Sequence, residues 1–310
     1  MADEGLARWL ADVRQANPPA NRVLGVHRIR AAARQRDESR PDGPQLPMVR
    51  NLVIGDVPAR LYRPAPVPRP LVVYLHGGGF VLGSLTSHDA TCRQLASTAD
   101  VAVLALEYRL APEHPAPAAV DDAVEAFTSA ATYPSMLGGD PEQGIGLAGD
   151  SAGGALAVLA AVRLRDAGTP AASLLLAYPN ADMTLSEPSV TSEGHGWGLE
   201  TDDLRWFVEQ WVPDPARRDD PAVSPVHADL RRLPPAVIAT AGHDPLRDEG
   251  RALARLITAG GGEVRHRPHP GLVHGFLGLG QVSPAARQAT EQLFRDYGDL
   301  VREQAGSAAG

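Results

Sequence analysis

A serine in the middle of a glycine-rich stretch is placed where it could act as a nucleophile. The motif Gly-Asp-Ser-Ala-Gly-Gly occupies residues 149–154, between a short apolar run and a long alanine-rich run. That order predicts a strand, a sharp turn with Ser151 at its apex, and a helix whose N-terminus points at the reacting atom. Glycines two positions before and after Ser151 suit a turn that is too tight for side chains. A plain Gly/Ser loop is the alternative, but the strand and helix signals on both sides favour the nucleophile.

A serine hydroxyl needs partners before it can attack a carbonyl carbon at neutral pH. A base must take its proton, and a third group must orient that base. In strand–turn–helix enzymes of this kind the acid and then the histidine follow the serine along the chain. Asp244 follows the apolar run 236–241, and His274 comes shortly after the run 263–268. We therefore predict a catalytic triad of Ser151, Asp244 and His274 at the carboxyl edge of one sheet.

Other residues could compete for the roles of base and acid. His243 is the nearest rival to His274, but it is adjacent to Asp244 in the chain and cannot easily bridge that acid to Ser151. Asp248 and Glu249 are rival acids, and they lie in the first turn of a predicted helix. Carboxylates favour that place for structural reasons, because they stabilise the helix dipole. The sequence therefore favours Asp244 as the acid.

A second glycine-rich run could stabilise negative charge on a reacting oxygen. His-Gly-Gly-Gly-Phe occupies residues 76–80, directly after the apolar run 71–75. Consecutive glycines let backbone amides approach an oxyanion without obstruction, and the amide of Ala152 would add a donor at a helix N-terminus. A phosphate-binding loop is the alternative, but the motif G-x-x-x-x-G-K is absent and the chain contains no lysine.

Alternating strands and helices would position these residues. Short apolar runs typical of strands that are buried on both faces alternate with helical stretches, which predicts a mostly parallel sheet covered on both faces. The predicted strands are 49–54, 59–62, 71–75, 101–106, 145–148, 173–178, 236–241 and 263–268. The predicted helices between and after them are 88–97, 118–131, 152–166, 246–259 and 284–302.

Two further segments do not fit the alternation and are expected to cover the site. The segment 185–235 is long for a connection, and it contains an apolar stripe of Leu204, Phe207, Val208 and Trp211 at helical spacing. The N-terminal region contains a similar stripe of Leu6, Trp9, Leu10 and Val13, and a second helix is predicted over 26–36. We expect the two stripes to pack against each other above Ser151.

Composition and charge exclude several classes of protein. The net charge of −8 argues against nucleic acid and against an anionic membrane surface as partners. Apolar runs are all too short to span a membrane, and the acidic N-terminus has no apolar segment typical of a signal peptide. The only cysteine, Cys92, excludes an internal disulfide and fits a reducing compartment. We therefore expect a cytoplasmic protein that binds a small molecule, with a homodimer left open.

The sequence resembles the hormone-sensitive-lipase family of α/β-hydrolases, a group of bacterial esterases marked by the run H-G-G-G. The similarity extends over nearly the whole chain. The matching motifs are H-G-G-G-F at 76–80, Y-R-L-A-P-E-H-P at 108–115, G-D-S-A-G-G at 149–154, D-P-L-R-D-E at 244–249 and H-G-F at 274–276. In this order the motifs are highly specific, and no catalytic position departs from the family pattern.

The resemblance implies a fold, a division of the chain and an activity. The fold would be an α/β-hydrolase with a helical cap formed by residues 1–45 and an insertion at about 185–235, and residues 46–310 would form the catalytic domain. Ser151 would be the nucleophile, Asp244 the acid and His274 the base. Amides of Gly78, Gly79 and Ala152 would form the oxyanion hole, with Gly77 shaping the loop and His76 holding it.

The implied activity is hydrolysis of short- to medium-chain carboxylic esters, without cofactor or metal. An amidase, or a hydrolase of one particular lactone or drug-like ester, could use the same residues. A ligand receptor on this fold is the alternative outside enzymes, but it would be expected to lose a catalytic residue, and all three are present here.

Overall fold

The structure is a computed structural model that describes residues 2–40 and 42–308. Residues 1, 41, 309 and 310, which belong to the predicted segments 1–45 and 46–310, lie outside the described residues.

One twisted sheet of eight strands forms the centre of the described part of the chain. Its spatial order is β1-β2-β4-β3-β5-β6-β7-β8. The strands are β1 (Met48–Ile54), β2 (Val57–Arg63), β3 (Leu71–Leu75), β4 (Ala102–Leu106), β5 (Ile145–Asp150), β6 (Leu174–Ala177), β7 (Ala236–His243) and β8 (Val264–Val273). Strand β2 pairs with β1 and β4 in antiparallel orientation, and the pairs from β4 to β8 are parallel. The predicted mostly parallel sheet is confirmed.

Helices cover both faces of the sheet because alternate strand residues point to opposite sides. In β3, Val73 belongs to the apolar cluster that includes the helices Ala118–Thr132, Ala152–Asp166 and Arg247–Ala259. Val72 and Tyr74 belong to the cluster that includes the helices Asp89–Ala99 and Pro284–Ala308. The helices are α1 (Glu4–Ala16), α2 (Asn21–Glu38), α3 (Asp89–Ala99), α4 (Ala118–Thr132), α5 (Ala152–Asp166), α6 (Ser189–Ser192), α7 (Thr201–Trp211), α8 (Arg247–Ala259) and α9 (Pro284–Ala308).

The last strand extends further than its sequence indicates. The predicted strand 263–268 ends too early, because β8 continues through Pro268 and Pro270 to Val273. It is an edge strand that pairs only with β7 in the order above, and an edge strand tolerates prolines because one side of its ladder needs no amide donor. His274 therefore follows the strand end directly, rather than lying in a long loop.

The two apolar stripes of the N-terminal and inserted segments do not pack against each other, and that expectation is wrong. Leu6 and Leu10 of α1 are buried in the cluster on the α3 and α9 face. Phe207 and Trp211 of α7 belong to the cluster on the opposite face, and α2 is the N-terminal helix that contacts α7. The second stripe is therefore covered by other residues, including Phe80.

No helix in residues 2–40 and 42–308 is long and apolar enough to cross a membrane.

Candidate active site

The turn between β5 and α5 places Ser151 in a conformation that few side chains adopt. Ser151 has φ 53° and ψ −122° and occupies the position just before α5. A Cβ at Gly149 would lie 2.3 Å from the carbonyl oxygen of Gly153, and one at Gly153 would lie 1.9 Å from that of Leu75. Backbone approaches this close leave room only for glycine at both positions. The surrounding backbone thus holds the strained turn, and strain of this kind costs about 1–3 kcal/mol.

Three side chains from three different strand ends form a continuous hydrogen-bonded chain. The Nε2 atom of His274 lies 2.9 Å from Ser151 Oγ, and its Nδ1 atom lies 2.9 Å from Asp244 Oδ2. A carboxylate can only accept, so His274 donates from Nδ1 and is left with Nε2 to accept the hydroxyl proton of Ser151. Asp244 is fully buried, and its other oxygen accepts from the amide of Leu246.

The rival base and one rival acid are engaged elsewhere. His243 stacks on Trp197 with ring centroids 3.8 Å apart, and its Nδ1 lies 3.3 Å from Glu193. Asp248 accepts from Arg247 and from the amide of Ser189, and the hydrogen bond from Arg247 is the main reason that the pKa of Asp248 is lowered. Neither side chain takes part in the chain of hydrogen bonds at Ser151.

Glu249, the other rival acid, is a buried structural group. Its Oε1 atom accepts from the side-chain amide of Asn180 and from the backbone amides of Ala181 and Asp182. Burial raises the pKa of Glu249 well above its usual range, and these hydrogen bonds oppose that rise only in part. Because the amide of Asn180 donates to the carbonyl of Ser151, Glu249 supports the loop beside the serine.

The run His76 to Phe80 forms a tight turn with three successive left-handed residues. Gly78, Gly79 and Phe80 have φ values of 126°, 61° and 64°. The carbonyl of Gly78 accepts from the amides of Val81 and Leu82. Within the described residues, the amides of Gly78, Gly79 and Ala152 have no hydrogen-bond acceptor, so all three are available to a ligand at Ser151.

Asp150, the residue before Ser151, fixes the start of this turn. One of its oxygens accepts from Tyr74 at 2.7 Å and from the amide of Gly77 at 2.9 Å, and it lies 3.3 Å from His88 Nε2. Burial raises the pKa of Asp150, but His88 and the hydrogen bonds outweigh burial and lower that pKa to about 2. The amide of Gly77 therefore donates to a carboxylate that stays charged at neutral pH, and it is not available to a ligand. This agrees with a loop-shaping role for Gly77.

His76 supports the turn through contacts with Gly77 and Tyr108. Burial lowers the pKa of His76 to about 3, so its imidazole is neutral at physiological pH. Its Nδ1 lies 2.9 Å from the carbonyl oxygen of Gly77, and its ring stacks on Tyr108 with centroids 4.2 Å apart. The hydroxyl of Tyr108 in turn donates to the carbonyl of His76 at 2.6 Å.

Aromatic residues of α7 pack against the same turn. The ring of Phe207 lies so close to Gly79 that a Cβ there would be 2.4 Å from Cγ of the ring. Trp211 stacks on Phe80 with ring centroids 3.9 Å apart and planes nearly parallel at 5°. The inserted helix therefore contacts the turn directly, as well as covering the cleft.

Ser151 opens into a cleft of about 290 Å³ between the sheet edge and the helices α2 and α7. Leu204 and Phe207 of α7 and Ala33 and Arg36 of α2 contribute to its wall. A second cavity of about 570 Å³ adjoins it at Arg36 and Leu82, and α1 lines only this second cavity. No group of three or more His, Cys, Asp or Glu side chains that could hold a metal ion occurs in the part of the chain that the structure describes.

Sequence reasoning singled out Ser151, Asp244 and His274, and the structure brings these three together. It missed the residues that hold the turn 76–80 directly or through Asp150, namely Asp150, Tyr74, His88, Phe207 and Trp211. Asp150 carried a usable signal, because it is a carboxylate placed next to Ser151 inside the glycine-rich motif. The aromatic contacts of Phe207 and Trp211 had no signal in the sequence. Helical spacing predicts which face of α7 is buried, but it does not predict which residues that face contacts.

Comparison with protein families places the chain among known folds. A family model described as "alpha/beta hydrolase fold" matches residues 72–278. Two relatives from Mycobacterium tuberculosis are each 43% identical to the chain. The alignment with Carboxylic ester hydrolase LipN (strain H37Rv) covers 77% of this chain and 66% of the relative, and that with Carboxylesterase NlhH (strain CDC 1551) covers 76% of each.

A solved structure supports the same relationship over a larger part of the chain. The ester-hydrolase EH1AB1 from the metagenome of Lake Arreo, solved with a derivative of bipyridine phosphonate, superimposes with a TM-score of 0.91. It is 34% identical in sequence, and the match covers 96% of this chain and 99% of that one.

Proposed function

The chain belongs to the α/β-hydrolase fold family, in its hormone-sensitive-lipase group, and we propose that it is a serine carboxylesterase in which Ser151 forms an acyl-enzyme. The observation that carries the residue assignment is the bridge made by His274, whose two ring nitrogens lie 2.9 Å from Ser151 and 2.9 Å from Asp244. That geometry is what general-base activation of a serine requires.

Catalysis would proceed in two halves through the same groups. Ser151 Oγ attacks the ester carbonyl carbon while His274 Nε2 takes its proton, and the resulting imidazolium is stabilised by Asp244. His274 then gives the proton to the leaving alcohol, and the acyl group stays on Ser151. In the second half, His274 takes a proton from water as that water attacks the acyl carbon, and it then returns the proton to Ser151 Oγ as the carboxylic acid leaves.

The tetrahedral intermediates carry negative charge on the former carbonyl oxygen. We propose that the free amides of Gly78, Gly79 and Ala152 donate to that oxygen. Donors held in place before the reaction stabilise such charge without reorganising, and the removal of one donor typically lowers kcat by about 10²–10³-fold. The amide of Ala152 also lies at the N-terminus of α5, where the helix dipole favours an anion.

The size of the cleft supports small esters as substrates. Its volume of about 290 Å³ lies just below the usual range of small-molecule pockets, roughly 300–1,000 Å³. Leu204 and Phe207 make its roof apolar, which suits a short or medium acyl chain. The division into a cap (1–45 and about 185–235) and a catalytic domain (46–310) remains a proposal that the α2 and α7 walls support.

Two further parts of the proposal concern the protein's surroundings. A cytoplasmic location is supported by Cys92, the only cysteine, which is buried as a free thiol. A homodimer also remains a proposal, and sedimentation velocity would decide it.

Substitution of the three residues, with matched controls, tests the proposed function. With p-nitrophenyl butyrate, Ser151→Ala and His274→Ala should each lower kcat on the order of 10⁶-fold, the loss seen for the equivalent changes in subtilisin. Asp244→Asn should cost about 10⁴-fold, because it disturbs the tautomer and leaves the nucleophile. The controls His243→Ala and Asp248→Asn should keep near-normal kcat.

Two results would contradict this proposal. Loss of activity in Asp248→Asn with normal activity in Asp244→Asn would show that the acid is wrongly assigned. A native chain that turns over none of a panel of p-nitrophenyl esters, anilides and lactones, yet binds such molecules, would indicate a receptor.

A further inference from the structure

One arginine of α2 donates hydrogen bonds to a backbone carbonyl at the end of the turn 76–80, the proposed oxyanion turn, and to one in the neighbouring segment around Ala111. The Nε atom of Arg30 donates to the carbonyl of Val81 at 3.0 Å, and Nη2 donates to the carbonyl of Ala111 at 2.8 Å. Nη1 and Nη2 also make a two-pronged pair with the carboxylate of Glu113, with both distances 2.8 Å. The guanidinium thus makes four hydrogen bonds, and its side chain is only 18% exposed.

One of the two carbonyls that Arg30 contacts belongs to Val81, which directly follows the turn that presents the free amides. Val81 and Leu82 donate to the carbonyl of Gly78 and so close the turn, and the amide of Ala111 donates to the carbonyl of Phe80. Arg30 therefore ties the end of the turn to the segment around Ala111, just as Asp150 ties its beginning to β5.

The turn needs such external contacts because its own backbone does not favour its shape. Left-handed conformations at Gly78, Gly79 and Phe80 persist only where surrounding groups determine them. Phe80 is the most demanding of the three, because its side chain makes the left-handed region unfavourable. Release of the Val81 carbonyl would let the turn relax, and the amides of Gly78 and Gly79 would then move.

We propose that Arg30 is a positioning residue that couples the seating of α2 to the geometry of the oxyanion hole. The inference rests on the proposed esterase function and adds to it a residue outside the family motifs found in the sequence. Its consequence is that α2 does more than form a wall of the cleft. When α2 is displaced, the turn loses a support and the enzyme loses transition-state stabilisation, while the triad stays intact.

The four hydrogen bonds made by Arg30 require an arginine side chain. A planar guanidinium can serve two carbonyls and a carboxylate at once, whereas a lysine ammonium is a single point of charge on a flexible stem. The hydrogen bond from Arg30 is the largest of the effects that lower the pKa of Glu113, so the carboxylate remains charged at neutral pH. Glu113 in turn fixes the plane of the guanidinium.

The test compares Arg30→Ala and Arg30→Lys with a matched control on the same helix. Arg22 pairs with Glu209 of α7 at 2.6 Å and is exposed, so Arg22→Ala removes an α2–α7 contact without touching the turn. For p-nitrophenyl butyrate, Arg30→Ala should lower kcat by about 10–100-fold, as expected for a displacement of roughly 1 Å. KM should change much less, because the walls of the cleft remain. Arg30→Lys should also be defective, and Arg22→Ala should match the native chain.

A second readout separates positioning from loss of stability. The rate at which a p-nitrophenyl phosphonate inactivates the enzyme depends on oxyanion stabilisation, and it should fall by the same factor as kcat in Arg30→Ala. Both assays are run well below the midpoint of thermal unfolding of each variant, measured by circular dichroism.

The possible outcomes are distinct. If Arg30→Ala and Arg30→Lys keep native kcat and native inactivation rates, or if KM alone changes, the proposed coupling is wrong. Equal losses in Arg30→Ala and Arg22→Ala would likewise overturn it, since general loosening of α2 would then account for both. A native chain without ester hydrolysis would contradict the proposed function instead, before Arg30 is tested.

Discussion

The contact between Gly79 and Phe207 predicts a large effect from the addition of one methyl group. In Gly79→Ala the new Cβ would lie 2.4 Å from Cγ of the Phe207 ring, and Gly79 has φ 61°. Carbon atoms in contact prefer separations of about 3.5–4.0 Å, so the ring and the turn must separate by roughly 1 Å. Because Phe207 is packed within the core under α7, the turn is expected to take up much of that movement.

The magnitude follows from two separable costs. A side chain in the left-handed region costs about 1–2 kcal/mol, and overpacking adds about 1–3 kcal/mol to the loss of folding free energy. For activity, a displacement of roughly 1 Å at the proposed oxyanion donors should lower kcat about 100-fold. Gly168→Ala is the matched control. Gly168 also has a positive φ, 81°, but an added Cβ would have no atom within 4 Å. Gly168 lies just after the C-terminal end of α5, whereas Ser151 precedes the N-terminal end of that helix.

The assay combines urea unfolding with kinetics on p-nitrophenyl butyrate. We expect Gly168→Ala to be destabilised by about 1–2 kcal/mol with native kcat. Gly79→Ala should be destabilised further and should lose kcat about 100-fold. In a Phe207→Ala background the same Gly79→Ala change should cost less than about tenfold, because the clash is gone. An undiminished loss in that background would refute the role given to the ring.

Two further predictions follow from the site and the N-terminal helices. Asp150→Asn should lower the free energy of unfolding by about 2 kcal/mol at pH 7, since the pKa of Asp150 is lowered from 3.8 to about 2 in the folded chain. A carboxyl group whose pKa is lowered by folding stabilises the folded chain at pH values above its pKa in the unfolded chain, and this contribution is lost as the group becomes protonated. In urea unfolding, the difference in unfolding free energy between the native protein and Asp150→Asn should therefore shrink as the pH falls below about 4. Deletion of residues 1–40 should alter the chain-length preference over p-nitrophenyl esters and, because Arg30 is removed, should also lower kcat. An unchanged profile and kcat would show that these helices do not act at the site.

The fold could be predicted because its strands have a strong sequence signal. A strand buried on both faces, such as β3 or β4, is apolar at every position. An amphipathic helix has polar residues on its exposed face, so its sequence pattern differs from that of such a strand. The end of β8 could not be predicted, since Pro268 and Pro270 normally interrupt strands and only the edge position makes them tolerable.

The candidate triad could be singled out because its residues lie directly after strands. Parallel strands bring their carboxyl ends to one edge, so chain order alone indicated that Ser151, Asp244 and His274 would be neighbours. Their catalytic roles remain a prediction. The contacts of Arg30 could not be foreseen, because they join α2 to residues more than fifty positions away.

The packing of α1 was wrongly expected for a related reason. An apolar stripe such as Leu6 and Leu10 establishes that one face is buried, but it does not specify the partner. In the structure that partner is the face formed with α3 and α9, where Phe276 and Leu277 also lie. The apolar stripes of α1 and α7 therefore indicate that each helix has a buried face, but they do not indicate that the two faces contact each other.

Mass spectrometry of acid-quenched enzyme can establish whether hydrolysis proceeds through an acyl group on Ser151. The native protein is mixed with p-nitrophenyl butyrate, quenched within the first turnover, and digested. We expect one butyryl group per chain, on the peptide that contains Ser151, and no such group in Ser151→Ala. An acyl group on another residue, or continued hydrolysis by Ser151→Ala at the native rate, would contradict it.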